Sequence, residues 1–169
     1  MSRLAELCAI GALSAAGHAL AAAAQPVRAA SIGMYSGRWY QIAQIVKTNH
    51  HPCPGGTEDF AANARGALTV TMTCHPPTGG EHHTQAGVAI VPASGNAKFK
   101  MSFFGGLISQ EYWLLDHAPD QSWALMATPG GNYLWLLTRR PQLDPATRAA
   151  AVASLHALGY DASKLTINR

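Results

Sequence analysis

Charge is scarce in this sequence. Only 12% of its 169 residues are Asp, Glu, Lys or Arg, and 12 basic against 9 acidic side chains leave a formal net charge of +3. No cluster of Lys and Arg concentrates that small excess, so the electrostatic footprint of a nucleic-acid surface is missing and no nucleic-acid partner is expected. Phosphate-cradling glycine loops are missing as well: no GxxxxGKS/T or GxGxxG stretch opens a helix, which removes the usual nucleotide cofactors, and none is expected. No nucleophile elbow with an ordered Ser, Asp and His follows either, so the chain is read as a non-enzyme. Cysteine is nearly absent, with three in the chain. Cys8 stands ahead of the apolar N-terminal run rather than just after it, where the lipid-modified residue of a lipoprotein would be.

What is present at the N-terminus is a leader pattern. Arg3 lies near the start, an apolar run follows to Ala24, and Ala22 to Ala24 form an A-x-A site before Gln25; 17 of these 24 residues are apolar. The many Ala, with Gly11, Gly17 and His18, partition weakly into hydrocarbon, which argues against a membrane anchor. Residues 1–24 are therefore expected to be a cleaved signal peptide and 25–169 the mature domain. That single domain is of a size that supports one core or barrel and not two large domains. Its remaining cysteines, Cys53 and Cys74, are expected to pair in an oxidising compartment, stabilising the fold by about 3 kcal/mol; a two-Cys metal site is the alternative.

From Gly37 to Thr138 the chain alternates short runs rich in β-branched and aromatic residues with Gly/Pro turn clusters such as Pro76-Pro77-Thr78-Gly79-Gly80 and Pro129-Gly130-Gly131-Asn132. Strands are predicted near 38–46, 57–63, 67–75, 82–91, 97–104, 111–117, 122–128 and 133–139. Eight evenly spaced strands make the class all-β, an antiparallel barrel or sandwich. Ala97 to Phe103 alternates strictly, sending Phe99, Met101 and Phe103 to one face and the lysines to the other. Tyr133, Trp135 and Leu137 share a parity, yet Leu134 and Leu136 are also apolar, so the eighth strand needs a cover on its outer face. Asp144 followed by Pro145 starts a helix that Gly159 stops, with Ala149, Val152 and Leu155 as its packing stripe.

Gly37-Arg38-Trp39-Tyr40-Gln41-Ile42-Ala43 resembles the GxWYxIA signature that opens the lipocalin barrel. In the same order follow Lys98 to Gly105, Leu115-Asp116, Tyr133 to Pro141, the helix, and Gly159 to Leu165. Together they resemble the bacterial lipocalin group, related to apolipoprotein D and plant temperature-induced lipocalins, over 31–167. The resemblance implies an eight-stranded antiparallel up-and-down barrel with a C-terminal helix packed outside. It also implies structural roles for Gly37, for Trp39 as plug of the narrow end, and for Arg139 lying across that indole. One departure concerns Asp116, because Ala118-Pro119 and a two-residue insertion displace the aromatic expected after it. Another is the missing lipobox, which implies a soluble periplasmic or secreted protein whose outer-membrane association would run through bound lipid or a partner.

Such a barrel has room for one small ligand. Parity places Phe99, Met101, Phe103, Tyr112, Leu114, Leu125, Tyr133 and Trp135 in its lining, an apolar set suited to a hydrocarbon partner; the resemblance points to fatty acids and lysophospholipids. Transport, storage or scavenging of lipid in the cell envelope is the expected role. A lipocalin-fold enzyme acting on an isoprenoid or other lipid is the alternative, and an interior filled by side chains would favour a protein-interaction module. The loops at 47–56, 76–81, 105–110 and 129–132 are expected at the open end. Cys53, Cys74 and the histidines His50, His51, His75, His82 and His83 would gather there. A metal or haem-iron site, or imidazolium groups meeting a lipid headgroup, is one reading of that cluster. Ordinary solvated loop histidines are the other.

Overall fold

The computed structural model describes residues 22–47, 53, 55–62, 67–76, 79–91 and 94–168. A one-turn helix α1 (Ile32–Tyr35) precedes eight strands: β1 (Gly37–Val46), β2 (Gly56–Ala62), β3 (Leu68–Cys74), β4 (His82–Ile90), β5 (Lys98–Phe103), β6 (Ile108–His117), β7 (Trp123–Ala127) and β8 (Tyr133–Thr138). The helix α2 (Pro145–Ala157) and a two-residue strand β9 (Thr166–Ile167) complete the chain. Every neighbouring pair is antiparallel, and β1 bonds to both β8 and β2, so the sheet closes on itself as an up-and-down barrel. The strands match the sequence expectation to within a residue or two, except that β6 starts at Ile108, three residues early. Ile108 to Gln110 are exposed and show no alternation; they are strand because Phe103, Ser102 and Met101 of β5 pair with them.

Closure is incomplete along one seam. β1 pairs with β2 only from Gly37 to Gln41. Beyond that a register shift between Gln41 and Ala43 turns the strand, and its free edge is taken by β9 at Ala43 and Gln44. Asn168 finishes the seal, its backbone N–H donating to Ile42 O and its Nδ2 to Gln41 O, both at 2.8 Å. A bulge of this kind bends the strand and re-aims the side chains beyond it. Here Trp39, Gln41 and Gln44 face inward while Ala43 and Ile45 join the outer cluster.

The closed end is built from the chain before β1. Residues 25–30 run down the outside wall, hydrogen-bonded at Val27 to Leu115 O and at Ala30 to Gly95 O. Ser31 caps α1 through Met34 N, and α1 delivers Met34 and Tyr35 into the barrel floor. Asp116 ties three elements together: it accepts from Arg28 Nε at 2.8 Å, from Ser154 Oγ at 2.6 Å and from His117 N at 2.9 Å. The departure noted at that loop is thus accommodated by polar anchoring of the wall segment and the helix, in place of an aromatic packing residue.

The outer cover on β7 and β8 is α2, capped by Asp144 accepting from Thr147 N, with Pro145 at its first turn. Its packing stripe differs from expectation: Ala151 and Leu155 are buried, with Leu158 beside them, while Ala149 is exposed and Val152 only half-buried. In a run of alanines several stripes satisfy helical spacing equally, and the docking angle on Leu125, Leu134 and Leu136 selects among them. Among the described residues no helix is long and apolar enough to cross a membrane.

Candidate functional site

The barrel interior divides into two halves. Near the closed end it is solid. Tyr35, Trp39, Phe60, Phe99, Met101, Leu114 and Met126 are all at most 3% exposed. Tyr35, Phe60 and Phe99 meet edge-on or tilted at centroid distances of 5.3 to 6.3 Å, the geometry aromatic quadrupoles prefer. Below them the Arg139 guanidinium lies 3.6 Å from the Trp39 ring and donates to Arg38 O at 2.9 Å and Met34 O at 2.6 Å. Gly37 starts β1 at a φ of +85°, and a Cβ added there would come within 3.6 Å of Arg139 Nη1. Its backbone turn, unfavourable for other residues, brings the chain under that guanidinium.

Towards the other end the interior opens into a cavity of about 200 Å³ lined by Gln41, Cys53, Met72, Gln110, Tyr112, Thr128, Tyr133 and Trp135. Its apolar wall is an aromatic ladder: Tyr112 and Trp135 centroids are 5.9 Å apart, Tyr133 and Trp135 are stacked at 5.7 Å, and Tyr112 stacks on Phe99 below at 5.9 Å. The Cys53–Cys74 disulfide closes the upper rim, with a Cα separation of 5.5 Å. Gly56 makes that closure possible. A Cβ there would fall 2.1 Å from Thr73 O, so only glycine lets β2 begin this close to β3 beside the bridge.

Of the residues expected to line a cavity, Tyr112, Tyr133 and Trp135 do so. Phe99, Met101 and Leu114 sit inside the barrel but in the solid half, and Phe103 packs against the same interior cluster. Leu125 is a correction: it faces outward into the cluster beneath α2, and the inward residues of β7 are Ala124 and Met126. All five residues of β7 are buried, so its sequence carries no alternation from which to choose a face. The register shift between Leu114 and Asp116 on the partner strand β6 fixes the choice.

The sequence reading missed the polar side of the cavity. Gln41, Gln44, Glu58 and Thr128 are buried at 4 to 8% exposure, and Gln41 Nε2 donates to Glu58 Oε1 at 2.8 Å. Burial, only partly offset by that hydrogen bond, pushes the Glu58 carboxyl up to about 7. The signal was available in Glu58-Asp59-Phe60: a strand that buries Phe60 also turns Glu58 inward. Tyr112 is likewise raised, by burial first and by the neighbouring Glu58 charge second.

Among the described residues, the three histidines of the expected rim cluster do not assemble. His75, His82 and His83 are exposed; His83 Nδ1 is 3.1 Å from Thr73 Oγ1 and its Nε2 3.6 Å from Glu81 Oε1. Among the described residues no three His, Cys, Asp or Glu come together as metal ligands. His50 and His51 lie outside the described residues. A concavity larger than the barrel cavity, about 430 Å³, lies outside the barrel. It is a groove on the outer face of β3, β4 and β5, where Gly87 supplies no side chain and the exposed Phe104 overhangs.

Comparison with known proteins agrees with this architecture. Residues 31–169 match the model of a lipocalin-like domain. The chain is 30% identical over 147 residues to temperature-induced lipocalin-1 of Arabidopsis thaliana, covering 82% of this chain and 78% of that protein. It is 24% identical over 142 residues to the outer membrane lipoprotein Blc of Vibrio cholerae, with 83% of each chain covered. Insecticyanin from the tobacco hornworm Manduca sexta superposes with a TM-score of 0.69 at 18% identity, over 86% of this chain and 84% of that one. A closed eight-stranded barrel with an external helix, an indole plugged under an arginine and a match spanning nearly the whole of 31–169 make this chain a member of the lipocalin-like family.

Proposed function

We propose that the chain binds one hydrophobic small molecule, a fatty acid, lysophospholipid or similar acyl lipid, in the upper half of its barrel and carries, stores or scavenges it in the cell envelope. The cavity of about 200 Å³ walled by Tyr112, Tyr133 and Trp135 is the observation that carries this reading. At about 30 Å³ each it accommodates roughly seven methylene-sized groups, fewer than a long acyl chain contains. Burying them contributes about 5 to 6 kcal/mol gross at about 0.8 kcal/mol per methylene. Part of that is spent on lost rigid-body freedom, so the remainder of a longer tail must find apolar contact at the rim. Chain length is therefore discriminated weakly.

An envelope location is supported by the N-terminal leader pattern, by a disulfide that suits an oxidising compartment, and by similarity to outer membrane lipoproteins of Vibrio cholerae and Escherichia coli. Binding without chemistry is favoured because the buried carboxyl beside the cavity, Glu58, has a glutamine as its hydrogen-bond partner and no nucleophile beside it among the described residues. Native mass spectrometry of protein purified from its own envelope is the test. A hydrophobic adduct removed by organic extraction is expected. Absence of any adduct, together with failure to take up a fluorescent acyl probe, overturns the reading.

A further inference from the structure

Among the described residues, four buried side-chain atoms of the barrel have no hydrogen-bond partner: Gln41 Oε1, Gln44 Oε1, Glu58 Oε2 and Thr128 Oγ1. Two of them line the cavity and two adjoin its wall. Gln41 and Thr128 line the cavity, Glu58 is held by Gln41, and Gln44 is the register partner of the cavity residue Trp135. Leaving such a group unpaired costs about 1 to 3 kcal/mol each, a large burden for a fold of ordinary stability. Two of the four are amide oxygens that only accept, the third is a carboxyl oxygen that only accepts once Glu58 is ionised, and the fourth is a hydroxyl. The Gln41 amide orientation is set by its contact with the carboxylate, so turning it over to offer a donor would set oxygen against oxygen. The buried polar side chains among the described residues are these four and Thr138, and none of them is a cation.

We infer that the molecule held here presents hydrogen-bond donors to this corner, and that its buried polar end is a primary ammonium or, more weakly, an alcohol, in preference to a carboxylate. This deepens the proposed function and rests on it. An ammonium supplies three donors and the one charge that Glu58 lacks beside it. A fatty-acid or phosphate head in the same position would face the lone pairs of Gln41 and Gln44 and, once Glu58 ionises, a like charge, with the Thr128 hydroxyl as the one donor among the four. The raised Glu58 titration agrees, since burial drives it and the Gln41 hydrogen bond only partly offsets it.

Matched eight-carbon ligands suit the cavity: n-octylamine, n-octanol and octanoate, measured by displacement of a fluorescent acyl probe near pH 8.5. Octylamine is expected to bind at least tenfold more tightly than octanoate, with octanol between them. Glu58→Gln, confirmed as folded by its circular dichroism, is expected to bring octylamine to within about threefold of octanol. Octanoate binding as tightly as octylamine overturns the inference with no variant needed, as does a preference that survives Glu58→Gln unchanged. Equal binding of all three leaves the lipid-binding reading standing, whereas failure of all three to bind removes both.

Discussion

The two halves of this barrel are made by the same strands and differ in what fills them. At the closed end, β1, β2 and β5 contribute Trp39, Phe60 and Phe99, α1 adds Tyr35, and no space is left. One turn of pleat further along, the same β1 and β2 contribute Gln41 and Glu58, and a cavity begins. Packing density and polarity change together, and they do so at the height where β1 bulges and leaves β2 for β9. The closed half is optimised for cohesion. The open half retains unpaired acceptors and void, both of which lower stability, and the proposed ligand is what would use them.

That contrast can be broken first at its solid end. Phe99→Ala removes a fully buried ring that touches Tyr35, Phe60 and Tyr112, and should lower unfolding stability by about 3 to 5 kcal/mol in chemical denaturation. A cost below about 1 kcal/mol would mean that the closed half is not the stabilising core. At the opposite end, replacing both cysteines, Cys53→Ser with Cys74→Ser, releases a 21-residue closure and should cost about 3 kcal/mol. A loss of acyl-probe affinity is expected with it, because Cys53 is part of the cavity wall.

Glu58 sharpens the comparison because its sign is reversed. Its carboxyl titrates near 7 in the folded protein against about 4.5 unfolded, so the folded state holds the proton more tightly. Stability is then greatest below pH 4.5, declines as pH rises to about 7, and levels off above it, the whole change being about 3 kcal/mol. Glu58→Gln should therefore raise the thermal midpoint of the ligand-free protein at pH 8 by an amount worth about 2 kcal/mol, and leave it nearly unchanged at pH 4.5. A destabilised variant at pH 8 would show that the open half is not under polar strain. The smallest effect is expected from Arg139→Lys, which keeps a charge over Trp39 but loses the planar fork that reaches Met34 O and Arg38 O, at about 1 kcal/mol.

Much of the closed half was legible in advance. Gly37-Arg38-Trp39 and Arg139 identified the plug, and the strict alternation through Lys98-Phe99-Lys100-Met101 put the right side chains inside. The open half was less legible, because the informative residues there are polar and apolar periodicity does not mark them. Glu58 shares its parity with Phe60, so its burial could have been inferred; that no cation among the described residues would pair with it could not, since no local pattern states which distant side chains are absent. Leu125 was misplaced for a different reason. When every residue of a short strand is apolar, sequence period has no phase, and the face is set by a bulge on the neighbouring strand.

By itself, the sequence determined the strand order, the turns between strands, the capped helix and the pairing of Cys53 with Cys74, because each depends on local stereochemistry or on having a single partner available. Only the tertiary structure decided where the barrel is solid and where it is hollow. That depends on the heights at which residues from eight strands meet, which the register shifts at Gln41/Ala43 and Leu114/Asp116 set, and on side chains such as Tyr35 that arrive from outside the sheet to fill one end and not the other.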